Sequence, residues 1–346
     1  VHTSAAQGFR LYVFLFLSIC MVFGHAVTAR AQQSSERDVP TVRADLEVNF
    51  EAQNRADENR WVFDYPIYGN IGVIYEGDDV EAAASVDLID EVSIGETYVQ
   101  GGSQNSYLKL GYYTETWRTG YAWSVVDILN RRDDRYPSNV FYRNIMRPNP
   151  VINMSIGGSQ SLQQIVVSQK DEELDSVEDA LLGFHSLIIS RDFKTGIGII
   201  RRIGNPPPMI FLTAKTEVGQ TSAWAEISWW VLEDRPDRVN ALVGGQQRFA
   251  SAQLIGEFII DNNDLILYLE QESRMGSRAR FDIRSYMYLN TFSASLDIFV
   301  STDVDQYVRV DFGTMLFFGK EGSYFSRHDP LQDNDNKIYL KLLFSF

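Results

Sequence analysis

From about residue 43 onward the chain repeats one pattern: segments of roughly ten residues in which every second side chain is apolar. Successive side chains of a β-strand point to opposite faces, so alternation of this length describes strands with two unlike sides. Ile210, Leu212, Ala214, Thr216 and Val218 alternate with Phe211, Thr213, Lys215 and Glu217. Leu254, Gly256, Phe258 and Ile260 alternate with Gln253, Ile255, Glu257 and Ile259. The same holds for Phe281 to Asn290 and for Tyr307 to Thr314. One face is apolar throughout, while the other carries both charges, for example Lys215, Arg280 and Arg284 with Glu217, Glu226, Glu257 and Glu270. A soluble sheet protein mixes edges and cores. A transmembrane antiparallel β-barrel, all-β with hydrocarbon outside and water inside, fits the uniform pattern.

Segmenting the pattern gives about eighteen strands, with sixteen as the alternative and the split near Asp90 the least defined. Single-chain barrels have an even number of strands, short turns at the periplasmic rim and longer loops outside. With both termini periplasmic, the connections 53–60, 116–150, 170–185 and 319–336 all fall on the outer side, and they are the four longest. Aromatic residues such as Trp224, Trp229, Trp230, Tyr286, Tyr288 and Tyr307 lie near strand ends, as interfacial girdles do.

The first residues read as an export signal. Arg10 precedes a short apolar run, Leu11 to Phe23, and Ala29-Arg30-Ala31 offers a small-x-small cleavage site. The expected organisation is a cleaved signal peptide over 1–31, a short periplasmic segment over 32–42 and one barrel over 43–346. A lipid anchor at Cys20 is disfavoured by bulky Ile19. Without 1–31, Arg10 and Arg30 leave 29 of the 31 basic residues against 46 acidic ones, a balance of −17. Such acidity argues against nucleic acid as a partner. No cysteine then remains, and only His185 and His328 of four histidines, so neither a metal site, a cofactor nor catalysis is expected. At the far end, Ile338, Leu340, Leu342, Phe344 and Phe346 form one apolar row running back from a terminal aromatic. The row resembles the signal by which the barrel assembly machinery recognises outer-membrane proteins, which implies the bacterial outer membrane and its lipid as surroundings.

The longest connection is the candidate for function. Thr116 to Pro150 holds Arg118, Arg131, Arg132, Arg135, Arg143 and Arg147 against Asp127, Asp133 and Asp134, a net of +3 in an acidic chain. Trp123, Val125, Ile128 and Leu129 give it apolar surface to bury, which folding into the lumen would satisfy. Tyr107-Leu-Lys-Leu-Gly111, Trp117-Arg-Thr-Gly120 and Asp127-Ile-Leu-Asn130-Arg-Arg-Asp133 together resemble a segment of several uncharacterised outer-membrane porin-like families. The match covers about 27 residues and departs from the pattern at Arg118, where Gly is usual, and Arg131, where Pro is usual. The resemblance implies a porin whose loop is ordered by Trp117, Gly120, Asp127, Asn130 and Asp133. Arg118, Asp127, Asn130, Arg131, Arg132, Asp133, Asp134 and Arg135 are the candidates for a constriction, where fixed charge sets ion preference. The expected function is passive diffusion of small hydrophilic or amphiphilic solutes. A structural, adhesive or lipid-handling barrel without an open pore is the rival. The acidic segment Lys170 to His185 has Leu174, Val177, Leu181 and Leu182 at helical spacing and reads as a short amphipathic helix.

Overall fold

β-Branched and aromatic residues at alternate positions favour extended backbone, and a two-sided strand is stable only when both of its edges are paired. The computed structural model meets both conditions. It describes residues 40–55, 60–64, 67–89, 91–103, 106–129, 131–132, 146–169, 180–203, 208–232, 237–261, 263–319 and 336–345. The expected signal peptide, Asn130, Asp133, Asp134, Arg135, residues 170–179 and 320–335, and Phe346 lie outside these residues.

The strands are β1 (Thr41–Arg55), β2 (Arg60–Asp64 with Ile67–Glu76), β3 (Val80–Ile89), β4 (Glu91–Ser103), β5 (Ser106–Tyr113) and β6 (Asn149–Gly157). Next come β7 (Ser161–Ser168), β8 (Leu181–Ile189), β9 (Phe193–Arg202), β10 (Met209–Val218), β11 (Thr221–Trp230) and β12 (Arg238–Arg248). The last six are β13 (Ala252–Asp261), β14 (Asp264–Arg274), β15 (Ala279–Tyr288), β16 (Ser293–Asp303), β17 (Val308–Phe318) and β18 (Asn336–Ser345). The sheet has nineteen strand segments, two of which form β2, so eighteen strands are present among the described residues. Each pairs antiparallel with its sequence neighbour, and β1 pairs with β18 from Asp45↔Ser345 to Asn54↔Asn336. The sheet is therefore a closed barrel.

Most expected boundaries lie within a few residues of those observed. The largest shift is at β8, which begins at Leu181 rather than 186. Leu181 and Leu182, read as helical, are strand residues paired with Arg202 and Arg201. Their spacing suits either period, and the neighbouring strand decides the matter. β1 starts at Thr41, two residues early, because Thr41 and Val42 pair with Ile74 and Val73. β1 also runs on to Arg55, so the connection expected over 53–60 shrinks to 56–59.

Because β1 starts beside the end of β18, both described chain ends emerge at one rim. The opposite rim carries the connections 114–148, 169–180 and 319–335. The outward face is apolar: Leu46, Phe50, Ile71, Leu108, Leu110, Ile152, Met154, Leu212, Val243, Leu254, Phe312 and Ile338 are all exposed there. The inward face is split. Toward the rim of the chain ends it is polar and charged. Toward the opposite rim, from β6 to β17, Val151, Val166, Ile200, Met209, Phe211, Ile255, Ile259, Ile266, Met315 and Phe317 are buried inside the barrel. Trp224, Tyr286 and Tyr288 belong to this inner core and Trp230 packs against it, which corrects the girdle reading for these four, while Trp229 and Tyr307 are exposed. A lone apolar patch inside a wet lumen would be unstable, so something covers it.

The closing ladder yields a test. Leu46 and Phe344 are direct partners on the outward face, within the separation a disulfide tolerates. Leu46→Cys with Phe344→Cys is expected to cross-link spontaneously, read as a mobility change of the denatured chain without reductant. Efficient cross-linking of Leu46→Cys with out-of-register Leu340→Cys, and none of the first pair, would contradict the closure.

Candidate pore constriction

The cover is the first part of the long connection, residues 114–129, which leaves β5 and turns into the barrel. Trp117, Ala122, Trp123, Val125, Val126 and Leu129 are buried against the inner wall. Each large apolar side chain buried this way contributes about 1.5–3 kcal/mol, and inserted segment and apolar wall satisfy one another. The Trp117 ring lies 5.0 Å from that of His185 and 5.6 Å from that of Phe211. It rests on Gly183, where a Cβ would come within 2.6 Å of the indole. Trp123 meets Tyr286 edge-on at 6.3 Å.

A segment without helix or ladder must place its main-chain N–H groups elsewhere, because buried donors left unpaired are costly. Two wall glutamates take them. Glu226 on β11 accepts through Oε1 from the N–H of Thr119 (2.5 Å) and of Gly120 (2.8 Å). Its Oε2 accepts from the Ser124 hydroxyl (2.8 Å) and the N–H of Val125 (2.9 Å). Glu257 on β13 accepts through Oε1 from the N–H of Tyr121 (2.5 Å) and the Trp224 indole (2.7 Å). Its Oε2 accepts from the N–H of Ala122 (2.9 Å) and Trp123 (3.2 Å). The two side chains are 0% and 1% exposed, so their charge is answered by converging dipoles rather than by water. No Lys or Arg pairs with either among the described residues. Gly120 is required by close approach, since a Cβ there would sit 2.0 Å from the Trp123 carbonyl oxygen.

Further bonds fix the ends. Ser124 Oγ accepts from the N–H groups of Val126 and Asp127, and the Thr116 hydroxyl donates to Asp127 Oδ2 at 3.2 Å. The Leu129 carbonyl accepts from Ser168 Oγ (2.7 Å) and Asn149 Nδ2 (3.2 Å). Asn153 Nδ2 donates to Glu115 at 2.9 Å, yet burial still pushes the Glu115 carboxyl above the usual carboxylate range. Tyr121 reaches across to Glu270 at 3.2 Å, and burial pushes its hydroxyl up to about 12. Tyr286 donates to the Ala122 carbonyl at 3.1 Å.

Of the residues singled out from the sequence, Trp117, Arg118, Gly120 and Asp127 lie on the inserted segment. Arg131 and Arg132 lie on a two-residue ladder with Arg147 and Met146. Asn130, Asp133, Asp134 and Arg135 fall outside the described residues. Glu226 and Glu257 were legible only as lumen charges, not as anchors. A signal was present: each sits two residues from bulky inward neighbours, Trp224 and Ile255 with Ile259. An acid between apolar residues on a wet face marks a place where something packs.

This is an eighteen-stranded closed antiparallel barrel, the fold of outer-membrane porins, with a segment of one long connection folded into its lumen. No protein-family model matches the chain, and no curated protein sequence matches it. Among solved structures it is similar to OccAB4 of Acinetobacter baumannii, with 6% identity, a TM-score of 0.59 and coverage of 90% of this chain and 99% of the other. A BenF-like porin of Pseudomonas fluorescens Pf-5 gives 8%, 0.58, and 89% and 98%. The outer membrane protein OpdK of Pseudomonas aeruginosa gives 10%, 0.56, and 89% and 98%. At such identities the likeness is one of fold.

Losing the Glu226 acceptors would orphan several buried N–H groups, each costing about 1–3 kcal/mol. Glu226→Ala is therefore expected to speed tryptic cleavage after Arg118 on the order of a hundredfold through local opening, with Glu226→Gln intermediate. Mass analysis of fragments from folded, detergent-solubilised barrel reads the result. Unchanged protection in Glu226→Ala would mean the segment is held by its apolar side chains alone.

Proposed function

We propose that the protein is an outer-membrane channel for passive diffusion of small hydrophilic or amphiphilic solutes, its lumen narrowed by residues 114–129. The observation that carries this reading is the segment itself, held across the inside of a closed barrel by Glu226 and Glu257. The apolar outward face suits lipid, and the fold it shares with porins supports the same surroundings. In this reading the rim with both chain ends is periplasmic and the long connections face outward. The row Ile338, Leu340, Leu342 and Phe344 lies outward on β18, where assembly machinery and lipid would meet it. The sequence stretch with Arg131, Arg132 and Arg135 follows directly on this segment and is the source of positive charge expected for the constriction. No catalytic step is assigned to the chain.

Reconstitution in planar bilayers tests this. Discrete conductance steps are expected, and the pair Glu226→Ala with Glu257→Ala should enlarge them by releasing the segment. Silent membranes from both folded proteins would favour the sealed structural, adhesive or lipid-handling barrel. Glutamine at Arg131, Arg132 and Arg135 together should move the reversal potential toward cations at low salt, where screening is weakest. Wild-type selectivity in that variant would remove the arginines from the filter.

A further inference from the structure

Away from the inserted segment, the inward face of β14 to β18 carries a polar cleft of about 130 Å³ lined by Glu272, Arg280, Asp282, Arg284, Asp297, Phe299, Arg309, Asp311, Tyr339 and Lys341. We propose that this cleft is a subsite for small zwitterions, solutes bearing an ammonium and a carboxylate on one short frame. The proposal rests on the channel reading and adds a substrate class to it.

The charges are interleaved by register. Arg280, Asp282 and Arg284 occupy alternate inward positions of β15, with Glu272 opposite Asp282 on β14 and Asp297 opposite Arg284 on β16. Asp311 on β17 faces Lys341 on β18. The lining holds four acids, Glu272, Asp282, Asp297 and Asp311, and four bases, Arg280, Arg284, Arg309 and Lys341, so its formal charge is zero. Glu270, Asp303 and Glu47 pair with three of these bases from just outside the lining, so charges of both signs stay interleaved throughout. A dipolar solute is attracted to such a surface, because it meets fixed charges of both signs a few ångströms apart.

The ion pairs present leave bonding capacity unused. Arg280 has Glu272 at 4.0 Å and donates to Ser301 Oγ at 3.4 Å; Arg309 donates through Nε to Asp303 at 2.9 Å. A guanidinium has five N–H donors, so most of each fork remains available. Arg284 lies over the Phe299 ring at 4.8 Å, with Nε 3.6 Å from Glu270. Asp297 accepts one bond from Tyr339 (2.7 Å), and Asp311 one from Ser301 (2.5 Å). Asp282 is 2% exposed and receives no hydrogen bond from any described residue. Its oxygens open onto the cleft between Arg280 and Arg284 of the same strand, and an ammonium group there finds an acceptor. The cleft opens onto the lumen, so a short solute can lay an ammonium and a carboxylate against it without being enclosed. The carboxylates of Glu270, Glu272 and Asp282 lie within 4.8 Å of one another, but guanidinium groups already face the first two, which disfavours a metal ion there.

Glycine and glycolamide have the same atoms and mass and no net charge, and only glycine is a zwitterion. Liposomes containing the full barrel, swollen in dilute isotonic solutions of each, are expected to admit glycine severalfold faster. Asp282→Asn and Arg309→Gln should each bring the ratio of rates toward unity, with heat-modifiable migration confirming that the variants are folded. Equal rates in the wild type, or a ratio preserved in both variants, would overturn the subsite while leaving the channel intact. Admission of neither solute would instead overturn the channel reading, and the subsite with it.

Discussion

Every main-chain N–H and C=O of an extended strand needs a partner, and an unpaired edge leaves a row of them open. In this chain that requirement is met around a complete circle only through the ladder between the first and last strands, Asp45 to Asn54 against Asn336 to Ser345. Remove the ladder and two edges are exposed, the distinction between inside and outside disappears, and the alternation of side chains has nothing to separate. Closure turns a period of two into two environments. It also places the chain ends at one rim and gathers the long connections at the other.

The same requirement governs the interior on a smaller scale. Residues 114–129 form neither helix nor strand, so their donors need acceptors that the segment lacks. The wall supplies them as carboxylates, which accept on both oxygens and attract the positive ends of several peptide dipoles at once. Glu226 and Glu257 thus act on the segment as a neighbouring strand would, through fixed acceptors at the right spacing. Their apolar neighbours exclude competing water. The far half of the barrel has consequently a packed core of the kind found in soluble domains, while the half nearer the chain ends keeps a charged wall.

Much of this was legible in the sequence, and the boundary between what was and was not has a physical origin. The strands, their facing and their closure follow from local alternation, which persists wherever one side meets a uniform medium. The inward turn of the long connection was legible from Trp123, Val125, Ile128 and Leu129, too much apolar surface to leave in solvent. The anchors were not, because Glu226 and Glu257 look like Glu217 or Glu270 until the segment is laid over them. Leu181 and Leu182 were misread for a related reason: two adjacent leucines satisfy a helical stripe or a strand edge equally, and only pairing with Arg201 and Arg202 chooses. What depends on a partner distant in the chain is invisible to a local pattern.

That distance also orders events in time. Glu226 lies 101 to 107 residues beyond the donors it receives from the segment, and Glu257 lies 134 to 136 beyond those it receives from the segment. When β5 and β6 first pair, neither anchor is yet in place, and the intervening segment has nothing to settle on. Contacts of such long sequence separation form late, since the intervening chain must be ordered first. The wall from β6 to β13 must therefore be in place before the segment can settle. Closure between β1 and β18 joins residues farther apart still, so the segment can fill the interior before the circle is complete.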